Sequence, residues 1–163
     1  MALYPNEDII YVDESGIDEC LHRESGWSLR GSKIHGEISG KKYERESFIA
    51  GKIGSKIIAP FCFKGTCNTA VFNTWIQKIL VPCLKPGQVV VMDNASFHKS
   101  AKTRELIQSA RCKLVFLPPY SPDFNPIETF WANFKKKLSQ TLHHFKSLSL
   151  ALDNLFRQLS CVG

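Results

Sequence analysis

A chain of 163 residues can bury one sizeable core, and its 44% hydrophobic and 22% charged content excludes wholesale disorder. No apolar run approaches the roughly 20 residues of a membrane span, and the opening MALYPNEDII lacks the basic-then-apolar pattern of a signal peptide. The formal net charge of +6 and pI near 9.0 suit a polyanionic partner, although a solubility surplus would give the same numbers.

In chain order, Ile9-Ile10-Tyr11-Val12 is a short β-rich run predicted to end at Asp13. Gly26-Trp27-Ser28-Leu29-Arg30-Gly31 reads as a short extended piece bounded by glycines. Ser47–Ala50 and Ile57–Phe61 flank Gly51-Lys52-Ile53-Gly54-Ser55, the pattern of a hairpin. The period then changes. Val71, Phe72, Trp75, Ile76, Ile79 and Leu80 fall at helical spacing between Asn68 and Leu84, and Pro86-Gly87 ends that element. Gln88–Met92 is a continuous apolar strand, expected to be buried on both faces and to stop at Asp93. An amphipathic helix over Lys99–Ala110, a strand over Lys113–Leu117, and two helices after Pro126 split near His143 complete the reading. This order implies one α/β domain over residues 1–163: a mixed five-stranded sheet, an antiparallel hairpin region near the N-terminus, and helices on both faces.

Six cysteines (Cys20, Cys62, Cys67, Cys83, Cys112 and Cys161) include no C-x-x-C pair. Cys62, Cys83 and Cys112 lie within or beside apolar stretches, as small buried thiols do. A reduced cytoplasmic setting without structural zinc is expected.

Three acids stand out by position. Asp13 follows the first strand and Asp93 the buried one, at the strand edge where open α/β sheets bind ligands. Glu128 opens the helix after Pro126. Taken singly, each has a plain structural explanation. Asp13 and the Asp93-Asn94 pair suit turns, and Asn125-Pro126-Ile127-Glu128 reads as a capping box. Taken together, three carboxylates suit hard divalent cations, which prefer oxygen ligands. Without a cation they would repel one another, so metal binding should stabilise the fold.

The ordered motif is more specific than any single acid. Val89-Val90-Val91-Met92-Asp93-Asn94-Ala95-Ser96-Phe97-His98 is followed by Leu117-Pro118-Pro119-Tyr120-Ser121-Pro122-Asp123-Phe124-Asn125-Pro126-Ile127-Glu128, with 34 residues between Asp93 and Glu128. These residues closely resemble the mariner-like superfamily of DDE transposases, most of all its bacterial insertion-sequence branch. Tyr11–Gly16, Gly26–Gly31 and Ile58–Thr66 extend the likeness along essentially the whole chain.

The resemblance implies an RNase H-like fold in which Asp13, Asp93 and Glu128 are both the catalytic residues and the ligands of two Mg²⁺ ions, with Mn²⁺ as substitute. It implies DNA as partner: a phosphodiester is hydrolysed at the transposon end, and the freed 3′-hydroxyl attacks a TA-containing target. It further implies a homodimer working in the bacterial cytoplasm at the nucleoid. The helix-turn-helix reader of the family finds no room before the first strand, so a separate DNA-binding chain is an expected partner. Two alternatives stay open at this stage: an RNase H-like nuclease of other substrates, and a catalytically silent DNA-binding remnant. Asn94 has two equal readings, as a turn residue or as an orienter of Asp93. His98 could contact a phosphate or assist proton transfer, but reads first as a structural polar residue in a loop and stays outside the catalytic set. Tyr120 offers a stacking face, with partial burial expected. Lys135-Lys136-Lys137, Lys41-Lys42 and Arg45 could each track a DNA backbone or simply be solvated.

Overall fold

The computed structural model describes residues 5–17 and 45–160. The readings made for Cys20, Gly26–Gly31, Lys41-Lys42 and Cys161 lie outside the described residues.

Five strands form one mixed sheet: β1 (Ile9–Ile17), β2 (Glu46–Ile53), β3 (Lys56–Lys64), β4 (Val89–Met92) and β5 (Lys113–Phe116), in the order β3-β2-β1-β4-β5. β1, β2 and β3 pair antiparallel, whereas β4 runs parallel to both β1 and β5. The hairpin closes through Gly54-Ser55, where Gly54 takes the positive φ of 54° that a two-residue loop favours.

The first strand is longer than expected. It does not end at Asp13 but runs on to Ile17, because β2 keeps pairing with it from Asp13↔Ala50 to Ile17↔Glu46. On its other side the pairing with β4 stops at Val12↔Met92. Asp13 is therefore held by a neighbour on one side and released on the other.

Alternate residues send their side chains to opposite faces, and each face gathers its own core. Ile10, Val12, Ile49, Val90 and Met92 pack with Phe72, Trp75, Ile76, Leu80 and Ile107. The last five come from α1 (Thr69–Trp75), the wide helical turn Ile76–Leu80 that continues it, and α2 (Ala101–Ser109). Asn68 caps α1 by accepting from the Val71 N–H at 2.9 Å, and Ser100 caps α2 by accepting from the Thr103 N–H at 3.0 Å. On the other face, Ile17, Phe48 and Ala50 pack against α3 (Ile127–Thr141) and α4 (Leu148–Ser160). Helices thus cover both faces, as the sequence implies. Every residue of β4 is buried, as expected of an interior strand. Among the described residues, no helix is long and apolar enough to cross a membrane.

One aromatic cluster fixes α3. Phe48 lies 5.0 Å from Trp131 and 5.3 Å from Phe134, ring centre to ring centre. Such contacts add about 0.5–1.5 kcal/mol each beyond area burial. Glu128 lies one helical turn before Trp131, so the same packing sets where Glu128 stands.

Candidate active site

Asp13 and Asp93 are brought side by side by strand register. Val12 and Met92 form the last parallel rung, so the two acids are the next residues on adjacent chains, roughly 5 Å apart at the backbone. Glu128 approaches from the first turn of α3. All three line one open cleft, together with Glu14, Trp131 and Lys135. A second cavity shares Asp93 and Glu128 and is walled by Asn94, Pro118, Pro119, Tyr120 and Asn125.

The two strand acids differ in charge balance. Asp13 is buried, with 7% exposure, and its carboxyl is pushed up to about 7. Burial is the main cause, followed by the negative charges of Glu14, Asp93 and Glu128; the N–H of Glu14, which donates to Oδ1 at 2.9 Å, offsets this only in part. For Asp93, burial also raises the carboxyl, but hydrogen bonds and positive charge outweigh it and hold it below the usual carboxylate range. Its Oδ1 accepts from the Ala95 N–H at 3.0 Å and from His98 Nδ1 at 2.5 Å, and Lys99 adds positive charge.

His98 was read from sequence as a structural loop residue, and the structure gives it a larger place. It is fully buried, and its Nε2 reaches Glu14 Oε2 at 3.2 Å while Nδ1 holds Asp93. Burial lowers its affinity for the proton, but the bonds to Asp93 and Glu14 prevail and raise it to about 9. Two acid partners thus favour the protonated ring, the form in which both nitrogens donate. The motif that ends at His98 marks the residue but not its partner, because Glu14 lies 84 positions away.

The capping box expected around Glu128 takes a different form. Asn125 is buried, and its Oδ1 accepts from the N–H of Ile127 at 3.3 Å, two residues on, while its backbone carbonyl accepts from the N–H of Glu128 at 3.1 Å. This is a local Asx-type turn. The Glu128 carboxylate is exposed on the cleft and makes no bond back to Asn125 among the described residues. Helix capping therefore does not account for its presence.

Lys135 is half-buried on the cleft, whereas Lys136 and Lys137 are exposed. The Arg45 guanidinium lies over Gly16, three residues beyond Asp13. The Trp131 indole N–H is buried and has no partner among the described residues. Asn94 faces the second cavity. Tyr120, expected to be partly buried, is instead fully exposed, with a positive φ of 56°. Burial pushes the Cys62 and Cys67 thiols up to about 12, which keeps them protonated and weakly nucleophilic.

The donor set around the cleft suits a divalent cation. It offers hard carboxylate oxygens, and Asp13 is short of positive charge. Among the described residues, no three His, Cys, Asp or Glu side chains are drawn together into a group that could hold an ion as it stands.

Comparison with known proteins places the chain. The family model described as DDE superfamily endonuclease matches residues 8–149. The chain belongs to the DDE superfamily endonucleases. It is 25% identical over 128 residues to the insertion element IS630 uncharacterized 39 kDa protein of Shigella sonnei, covering 76% of this chain and 36% of that protein. Its fold matches the Mos1 mariner paired-end complex with Mn at a TM-score of 0.69 and 17% identity, over 97% of this chain and 49% of that one. It also matches the Mos1 transposase catalytic domain with raltegravir and Mg at 0.64 and 16%, over 95% and 72%. The architecture is therefore RNase H-like and shares the fold of the Mos1 transposase catalytic domain. The chain spans about a third of the curated relative and about half of the paired-end transposase.

Proposed function

We propose that this DDE superfamily endonuclease domain is the catalytic part of a cut-and-paste transposase, hydrolysing a phosphodiester at a transposon end and joining the freed 3′-hydroxyl to target DNA. One observation carries the reading: Asp13, Asp93 and Glu128, from three distant stretches of sequence, line a single cleft in which Asp13 lacks compensating charge. Asp13, Asp93 and Glu128 would hold two Mg²⁺ ions, with Mn²⁺ as substitute. Bound there, the ions supply charge neutralisation and a clamp on the attacking and leaving oxygens of an in-line displacement.

The remaining work falls to the protein. Asp13 and Asp93 fix two corners of the site from a rigid sheet, and Glu128 fixes the third from a helix anchored by Trp131 and Phe134. Lys135 lines the cleft, where a phosphate of bound DNA would meet its positive charge. Both steps need positioning and charge neutralisation and no covalent enzyme nucleophile. Insertion at TA dinucleotides, action as a homodimer, a separate chain that reads the transposon ends, and a cytoplasmic, nucleoid-associated site of action complete the proposal by analogy with the mariner-like superfamily.

The test is nicking of supercoiled plasmid DNA with Mg²⁺ or Mn²⁺, alongside an RNA–DNA hybrid. The wild-type chain is expected to nick DNA and spare the hybrid. Glu128→Gln is expected to lose at least about 10²-fold in rate, on the scale of removing one transition-state charge stabiliser, while keeping its circular dichroism. Equal rates for wild type and Glu128→Gln would refute the reading.

A further inference from the structure

We propose that His98 is a positioning residue that fixes the carboxylate of Asp93 from the face of the sheet opposite α3. The inference rests on the functional reading above, since it takes Asp93 as a metal ligand. Phe72, on α1, and Phe97 both pack on the imidazole, each with its ring centre 4.3 Å away. Both aromatics belong to the core on the α1–α2 side. From that position Nδ1 is hydrogen-bonded to Asp93 Oδ1 and Nε2 to Glu14 Oε2.

Two consequences follow for the cleft. Asp93 Oδ1 takes both the His98 bond and the Ala95 N–H, while Oδ2 carries none among the described residues. Oδ2 is thus the oxygen left for an ion. The Glu14 carboxylate is tied to His98, and the Glu14 backbone N–H is bonded to Asp13 Oδ1. One imidazole therefore links both strand acids, directly to Asp93 and through Glu14 to Asp13. A residue serving only to fill the aromatic slot would gain nothing from two ring nitrogens, each costly to bury unpaired. Here both meet acids that line the cleft. Partners that orient metal-binding side chains in this way typically matter 10–100-fold in metal affinity.

Two amides separate the roles of the two nitrogens. The side-chain amide of Asn reaches about as far as Nδ1, and that of Gln about as far as Nε2. Mn²⁺ affinity is measured by calorimetry on the full chain, with the metal-free melting temperature of each variant recorded alongside. His98→Asn is expected to bind Mn²⁺ within about 3-fold of wild type, and His98→Gln roughly 10–100-fold more weakly, at similar melting temperatures. Wild-type affinity in His98→Gln, or equal losses in both variants, would overturn the proposal. Should neither variant fold, proton NMR of the wild-type imidazole decides. The downfield Nδ1 proton should survive saturation with Mn²⁺'s diamagnetic counterpart Mg²⁺, and its disappearance would overturn the proposal. A wild-type chain that binds no Mn²⁺, or Asp93→Asn binding it unchanged, would instead sink the underlying functional reading.

Discussion

Asp13 and Asp93 stand next to each other at the end of the same parallel rung, yet the fold treats them in opposite ways. Asp93 is half-buried and supplied with an imidazolium and a backbone N–H, and it is held ionised. Asp13 is more deeply buried, receives one backbone N–H, and faces Asp93 at the end of β4, Glu128 on α3 and Glu14 beside it. The protein therefore completes the surroundings of one acid from its own residues and leaves the other in deficit. That deficit is where an added cation would contribute most.

The contrast can be tested by stability measurements in chelator, ordered by expected effect. Asp13→Asn should stabilise the metal-free protein most. A carboxyl raised from 3.8 to about 7 corresponds to about 4 kcal/mol at most, at 1.36 kcal/mol per unit, read by urea denaturation at pH 8. The sign follows from linkage: the raised carboxyl of Asp13 leaves stability intact below about pH 4 and removes it as pH climbs through 7. Wild type should lose stability over that window, and Asp13→Asn should lose much less. Next, Mg²⁺ at 100 times its Kd should raise wild-type stability by about 2.7 kcal/mol and Asp13→Asn by clearly less. Asp93→Asn should act in the other direction, costing about 1–2 kcal/mol through loss of its charged bond to His98, discounted for its exposure. Stabilisation by Asp93→Asn as large as by Asp13→Asn would break the comparison. Smallest, Asn125→Ala should cost about 1 kcal/mol by removing the bond to the Ile127 N–H, and should loosen the placement of Glu128.

Much of this was legible in the sequence, for reasons that also explain what was not. The run Val89–Met92 reads as an interior strand because both of its faces are apolar, and the structure buries all of it. The period of Val71, Phe72, Trp75 and Ile76 gives α1, but not the widened turn at Ile76–Leu80, since that turn keeps nearly the same apolar face. β1 appeared to stop at Asp13 because Glu14, Ser15 and Gly16 carry no apolar alternation. What extends it is backbone pairing to β2, which side-chain pattern does not report. Asp93 and Glu128 could be picked out from their place in an ordered motif. His98 closes the first half of that same motif, but its bonding could not be read there, because Glu14 lies across the fold and Phe72 on another helix. The form of the Asn125 turn was likewise hidden. The same four residues permit either reciprocal capping or the Asx-type bond, and only the observed backbone at Pro126 and Ile127 decides between them.

The central claim is that three acids, gathered by register and by one anchored helix, form a seat for divalent cations. A crystal structure of the wild-type chain soaked in Mn²⁺, with anomalous data, tests it most directly. The account predicts anomalous peaks in the cleft bounded by Asp13, Asp93 and Glu128, with carboxylate oxygens from all three within coordination distance and Asp93 bound through Oδ2. Peaks elsewhere on the surface, with that cleft empty at saturating Mn²⁺, would contradict it.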